Sequence, residues 1–169
     1  MTTGRGATSP TERGAAERLL RALERRGSTI AVAESLTGGL VTASLVDVPG
    51  ASRSVRGGVV AYATDLKGSL LGVDARLLDE RGAVDPDVAA AMAQGVRDRL
   101  GADLGLATTG VAGPDPQDGE EPGTVFLAVD GLGRRRVVRL LLDGDRAAVR
   151  AQACAAAIDL ALAHLDPDG

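Results

Sequence analysis

The chain carries one lysine, Lys67, and one tyrosine, Tyr62, five residues apart in "AYATDLKGSLLGV"; the other 18 of its 19 basic side chains are arginine. Arginine stays protonated in a protein, whereas lysine sheds its proton where the surroundings disfavour the charge. There is one histidine, His164, and one cysteine, Cys154. A zinc site of His and Cys ligands therefore lacks parts, and a Ser-His-Asp triad would have to use a histidine near the end of the last predicted helix. Acid–base chemistry near neutral pH is left to carboxylates, Tyr62 and Lys67.

A neutral lysine can take the proton of a serine hydroxyl, and Ser-Lys pairs are a known alternative to Ser-His. The serine that fits is Ser35 in "AESLTGG", residues 33 to 39, where a predicted strand gives way to a helix start. Free backbone N–H groups over Thr37, Gly38 and Gly39 would make an anion or oxyanion site. The same residues also read as a glycine-rich turn in which Ser35 or Thr37 merely caps a helix. Lys67 falls in the first turn of a predicted helix, where the helix dipole and burial would both lower its pKa; the alternative is a solvated surface lysine.

Two further junctions could bind a ligand. "TTGVAGP", residues 108 to 114, is a glycine-bearing loop after a buried strand, which suits a ligand at the carboxyl edge of a sheet. It equally reads as a plain connection. "GDRAAVR" sets Arg146 and Arg150 four apart on one face of the last helix, where they either clamp a phosphate or form a solvated face. Arg134, Arg135 and Arg136 read as solvated hairpin surface, and Cys154 and His164 as core or surface of an alanine-rich helix.

The elements that must position these residues follow from punctuation and periodicity. Residues 1–12 are expected to form a disordered tail, with the capping box "SPTE" at its end opening a helix to about Arg26. "STIAVAE" (28–34) and "RGGVVAY" (56–62) read as strands, with an apolar helix to about Val48 between them. "TDLKGSLLGV" reads as a short helix capped by Thr64 or Asp65. "DPDVAAAMAQGVRDRLG" is a helix with Asp85 as N-cap and Gly101 as its stop. "ADLGLATTG" is a third buried strand. "TVFLAVD" and "RRRVVRLLL" flank "GLG" as a hairpin, and a closing helix capped by Asp145 runs to about Leu165. Strands alternating with helices and then a hairpin predict an α/β fold, a three-layer α/β/α sandwich with a mixed, mostly parallel sheet, over residues 13–166.

Composition narrows the partners. The net charge of -4 and an aromatic content of 1% speak against nucleic acid and anionic membrane as ligands. The N-terminus lacks the apolar core of a signal peptide, and a single cysteine fits a reducing compartment, so a cytoplasmic protein is expected.

Read in order, "AESLTGG", "DVPGAS", "GGVVAYATDLKGSLLGV", "GAVDPDVAAAM", "GADLGLATTGVAGP", "PGTVFLAV" and "GDRAAVRAQA" resemble the CinA C-terminal domain family, the nicotinamide-nucleotide amidohydrolases. The resemblance covers about Arg13 to Leu165. It implies hydrolysis of the carboxamide of nicotinamide mononucleotide (NMN) to nicotinic acid mononucleotide and ammonia, without metal or organic cofactor. The family's nucleophile falls on Ser35, its base on Lys67 and its supporting hydroxyl on Tyr62. Thr109, Gly110 and Gly113 match its substrate loop, and Arg146 and Arg150 its basic helix start. The family fold is an α/β/α sandwich, usually a homodimer or higher homo-oligomer. Two departures stand out, Leu36 where the family often has cysteine and a more acidic and glycine-poor loop over 115–123; of the longer CinA proteins, which add a molybdopterin-binding-like domain, only the amidohydrolase half is expected. Two rival readings are a nucleotide-binding module without catalysis and a hydrolase for another amide.

Overall fold

The structure, a computed structural model, describes residues 10–166, and side chains from residue 14 onward. Helix α1 spans Pro10–Arg26, so residues 10–12 of the expected tail are helical; residues 1–9, with Ser9 of the capping box, lie outside the described residues. Strand β1 (Ile30–Glu34) leads to α2 (Leu40–Val46), a short 3-10 turn (Ala51–Arg53) and β2 (Val55–Val60). Helices α3 (Thr64–Leu71), α4 (Ala75–Arg81) and α5 (Pro86–Leu100) follow. Then come β3 (Leu104–Gly110), the hairpin β4 (Thr124–Gly131) and β5 (Arg134–Leu141), and α6 (Arg146–Leu165).

The sheet order is β2-β1-β3-β4-β5. Strand β1 pairs parallel with β2 and β3, and β4 is antiparallel to both neighbours. Four strands therefore run one way and β4 alone runs against them, the mixed, mostly parallel sheet expected. The carboxyl ends of β1, β2 and β3 emerge side by side, with Glu34 level with Val60 and Thr108. That edge is where an open α/β sheet places its ligands.

The two faces are packed differently. Ile30, Val32, Leu104, Leu106, Val125, Leu127 and Val129 point to the layer of α1, α2 and α6. The alternate positions, Ala31, Ala33, Ala107, Phe126 and Ala128, face the layer of α3, α4 and α5. The second set is mostly small, so α5 lies almost backbone to backbone with the sheet. A Cβ on Gly105 would sit 1.8 Å from the Ala93 carbonyl oxygen of α5; α3 comes as close to α5, since one on Gly95 would sit 1.9 Å from the Leu71 carbonyl oxygen. A chain nearly without aromatics can close a core this way because small residues let whole elements approach. Helix α6 has the length and hydropathy a membrane span would need, but half of that window is buried inside the fold.

Local details depart from the sequence reading where tertiary contacts supply a cap. Asp85 and Asp145 cap α5 and α6 as expected, accepting from Val88 and Ala148 N–H groups. The N-cap of α3 is Ala63, with no side-chain bond, rather than Thr64 or Asp65. Helix α4, capped by Asp74, was not foreseen: the left-handed Gly72 ends α3 and a new helix begins three residues on. Helix α2 starts only at Leu40 and ends at Val46, and its cap comes from a distance. The buried Glu34 carboxylate accepts from Gly39 N–H and Val41 N–H, both at 3.0 Å, through Oε2. Its Oε1 accepts from Thr42 N–H at 2.8 Å and the Thr42 hydroxyl at 2.7 Å.

Removing that carboxylate strands several buried donors. Glu34→Ala deletes the acceptors, and Glu34→Gln turns an NH2 group toward two N–H donors; each is expected to cost about 3 kcal/mol, read as a fall in the urea unfolding midpoint.

Candidate active site

Ser35 follows β1 directly, and its N–H donates to the Thr108 carbonyl at 3.0 Å, so the end of β3 fixes its backbone. Its Oγ lies 3.0 Å from Lys67 Nζ. Lys67 reaches it from the first turns of α3, and is itself 1% exposed. Nζ also donates to the Ala61 carbonyl at 2.8 Å and the Tyr62 carbonyl at 3.3 Å, where the chain leaves β2. Two of its three partners are carbonyl oxygens and can only accept. In the neutral amine those two take the N–H bonds, and the lone pair is left for the third partner, the Ser35 hydroxyl. The geometry suits removal of the serine proton.

Burial pushes the Lys67 pKa down from 10.5 to about 8, against Asp118 and Asp65, whose negative charges work to raise it. Desolvation is thus the main cause of the shift, where the sequence reading put the α3 dipole first and burial second.

A cavity of about 410 Å³ opens in front of Ser35. Its walls include Ser35, Leu36, Tyr62, Thr109, Gly110, Gly113 and Arg146. Lys67 stands behind Ser35, outside the lining. Tyr62 is 56% exposed, and its ring lies at the mouth; it meets Lys67 through its carbonyl, not its hydroxyl. That hydroxyl accepts from Arg146 Nη2 at 2.8 Å, while Arg146 Nη1 donates to the Gly113 carbonyl at 3.0 Å. Arg146 thus bridges two rims of the cavity from the start of α6.

Other candidates do different work. Arg150 Nε donates to the Leu36 carbonyl at 2.9 Å and Nη2 to the Thr37 carbonyl at 3.1 Å. It holds the turn after Ser35 and does not line the cavity beside Arg146. Thr37 is fully buried, with its hydroxyl 2.7 Å from that of Thr108. Gly38 N–H donates to the Ser35 carbonyl and Gly39 N–H to Glu34. The free anion site expected over Thr37, Gly38 and Gly39 is therefore corrected: Glu34 already occupies that helix start. Thr109 lines the cavity, but its hydroxyl donates to the Ala83 carbonyl at 2.6 Å. His164 is buried at the far end of α6 from Arg146, with Nε2 3.1 Å from the Gly131 carbonyl. Eighteen residues of helix, about 27 Å, separate it from the cavity. Glu34, the Ala83–Val84 wall and the side chains Asp115 and Gln117 were missed by sequence reasoning. The "QDGE" turn signal could have flagged Gln117.

Because Lys67 is the only lysine, protein labelled with lysine carrying 13C at Cε gives one side-chain signal to titrate. Its expected midpoint is about pH 8. The unfolded chain, with a lysine pKa near 10.5, binds more protons than the fold between those two values. Unfolding free energy should therefore rise with pH across that window, relieving a penalty of about 3 kcal/mol present at pH 7.

Comparison with known proteins agrees with this architecture. The family described as CinA C-terminal domain matches residues 12–165. A CinA-like protein of Frankia casuarinae is 52% identical over 142 residues, 84% of this chain and 33% of that protein. A putative competence-damage inducible protein of Bacillus velezensis is 43% identical over 148 residues, 88% of this chain and 36% of that protein. The chain thus spans about a third of the length of the curated relatives it matches. The crystal structure of the competence/damage inducible protein CihA from Agrobacterium tumefaciens superposes with a TM-score of 0.90 at 30% identity, covering 96% of this chain and 99% of that one. A CinA superfamily protein from Klebsiella pneumoniae gives 0.88 at 33%, covering 91% and 97%. The chain belongs to the CinA C-terminal domain family.

Proposed function

We propose that this chain is an amidohydrolase that cleaves the carboxamide of NMN to nicotinic acid mononucleotide and ammonia. The observation that carries the reading is the 3.0 Å contact of Ser35 Oγ with a buried lysine amine whose other partners are both carbonyls. The choice of NMN rests on the family resemblance.

Neutral Lys67 takes the Ser35 proton as Oγ attacks the carboxamide carbon, and the carbonyl electron pair moves to oxygen. The new ammonium then puts a full positive charge beside the developing oxyanion. With Gly38 and Gly39 already committed, that charge replaces part of what a backbone oxyanion hole supplies elsewhere. As the C–N bond breaks, Lys67 returns its proton to the leaving nitrogen and ammonia departs. Water then attacks the Ser35 ester as Lys67 takes one of its protons; Lys67 passes that proton to Ser35 Oγ as the ester C–O bond breaks, which releases the acid and restores the hydroxyl and the neutral amine. The Tyr62 hydroxyl accepts from Arg146 and keeps its own O–H to donate, but only its carbonyl meets Lys67, so its role in this reading is to shape the mouth. Arg146, the one basic side chain among the lining residues described, suits a 5′-phosphate by paired hydrogen bonds.

Ammonia release from NMN by the purified chain tests the reading directly. Ser35→Ala and Lys67→Met are expected to lose about 10³-fold or more in kcat. Lys67→Arg, which keeps charge but cannot act as a base, should lose as much; full activity in that variant would sink the mechanism. For the wild type, kcat/KM is expected to climb with pH to a plateau, with a midpoint near 8, since only the neutral amine is the base. Arg146→Ala should raise KM for NMN about tenfold while leaving the phosphate-free riboside unchanged.

A further inference from the structure

Part of the cavity that Ser35 lines is walled by a loop that the mechanism above does not use. Gln117 and Glu120 exchange both backbone hydrogen bonds, at 3.1 and 2.9 Å, around Asp118 and Gly119. Both central residues have positive φ, 52° and 79°, the backbone that Asp-Gly hairpin turns favour. From the tip of this small hairpin, Asp118 Oδ2 accepts from Ala83 N–H at 2.7 Å. The fit is made possible by Gly82, where a Cβ would stand 2.6 Å from Asp118 Cγ. On its other side Ala83 is held by Thr109, whose hydroxyl donates to the Ala83 carbonyl. One residue of the α4–α5 connection is thus gripped by the loop and by the end of β3. Ala83, Val84, Asp115 and Gln117 all line the cavity.

We propose that Asp118 is a positioning residue: its carboxylate latches the Gln117–Glu120 hairpin onto Ala83 and so sets this wall of the cavity. For its kinetic consequences this rests on the amidohydrolase reading; the latch itself does not. Asp118 also acts on Lys67 by charge. Asp118 from the loop and Asp65 from α3 both favour the protonated amine, while the ends of β1 and β2 face it with the Ser35 hydroxyl and two carbonyls. The acceptor and the charge of Asp118 are separable. Asp118→Asn keeps an acceptor and tolerates the left-handed turn, whereas Asp118→Gly keeps the turn and removes the acceptor.

The test is amide exchange at Ala83 together with steady-state kinetics on NMN, in protein checked for an unchanged circular dichroism spectrum. Asp118→Gly is expected to speed Ala83 exchange about tenfold and to raise KM about fivefold with little change in kcat; Asp118→Asn should restore both. In both variants the pH midpoint of kcat/KM and the Lys67 titration should shift down, because both lose the charge. Unchanged Ala83 exchange in Asp118→Gly, or failure of Asp118→Asn to restore it, overturns the latch and leaves the amidohydrolase reading untouched. Wild type that releases no ammonia sinks that reading, while the exchange data still decide the latch.

Discussion

Glu34 is the constraint on which the site depends. It ends β1 with a fully buried carboxylate, a charge that would be costly to bury unless its oxygens were saturated. Four donors from the start of α2 saturate them, and the positive end of a helix favours a negative charge there. The turn between Glu34 and Leu40 is thereby closed to one conformation, and Ser35 is the first residue of that turn. Arg150 tightens it from the other side through the Leu36 and Thr37 carbonyls. The position of Ser35 is therefore set by a carboxylate and a guanidinium that do not line the cavity.

The site divides its labour by depth. Lys67 sits behind the serine, where desolvation keeps its amine close to neutrality. Arg146 sits at the rim, where a permanent cation costs little and can meet solvent or a ligand. This explains why the sole lysine stands where it does: arginine at the deep position would carry an obligate charge with too little water to hold it. It also explains why Tyr62 belongs to both zones, carbonyl inward and hydroxyl outward.

Much of this was legible in the sequence. The buried strands announced themselves as short apolar runs, and Asp85 and Asp145 as caps followed by helical patterns. Rarity pointed to Lys67, and the strand-to-glycine junctions pointed to Ser35 and the 108–114 loop. What stayed hidden was every role set by a long-range partner. Nothing local distinguishes Arg146 from Arg150, four residues apart on one helix, until the fold turns one to the cavity and the other to a backbone turn. Glu34 looked like the polar end of a strand because its four donors lie five to eight residues ahead in a segment not yet known to curl back. Helix α4 escaped because the sequence reading closed its short helix at Val73 and left the seven residues Ala75–Arg81, too few to show a periodicity, without an element.

The close approach of α5 to its neighbours limits what can be substituted there. The larger side chains of either layer, Ile30, Leu106 and Leu127 on one side and Val88, Met92 and Val96 on the other, can trade volume among themselves and keep the total constant. Gly105, against the Ala93 carbonyl oxygen of α5, and Gly95, against the Leu71 carbonyl oxygen of α3, have none to trade. A Cβ at either would have to move a whole helix rather than a side chain. The β3 strand that ends beside Ser35 is thus tied to α5 at a contact no repacking can relieve.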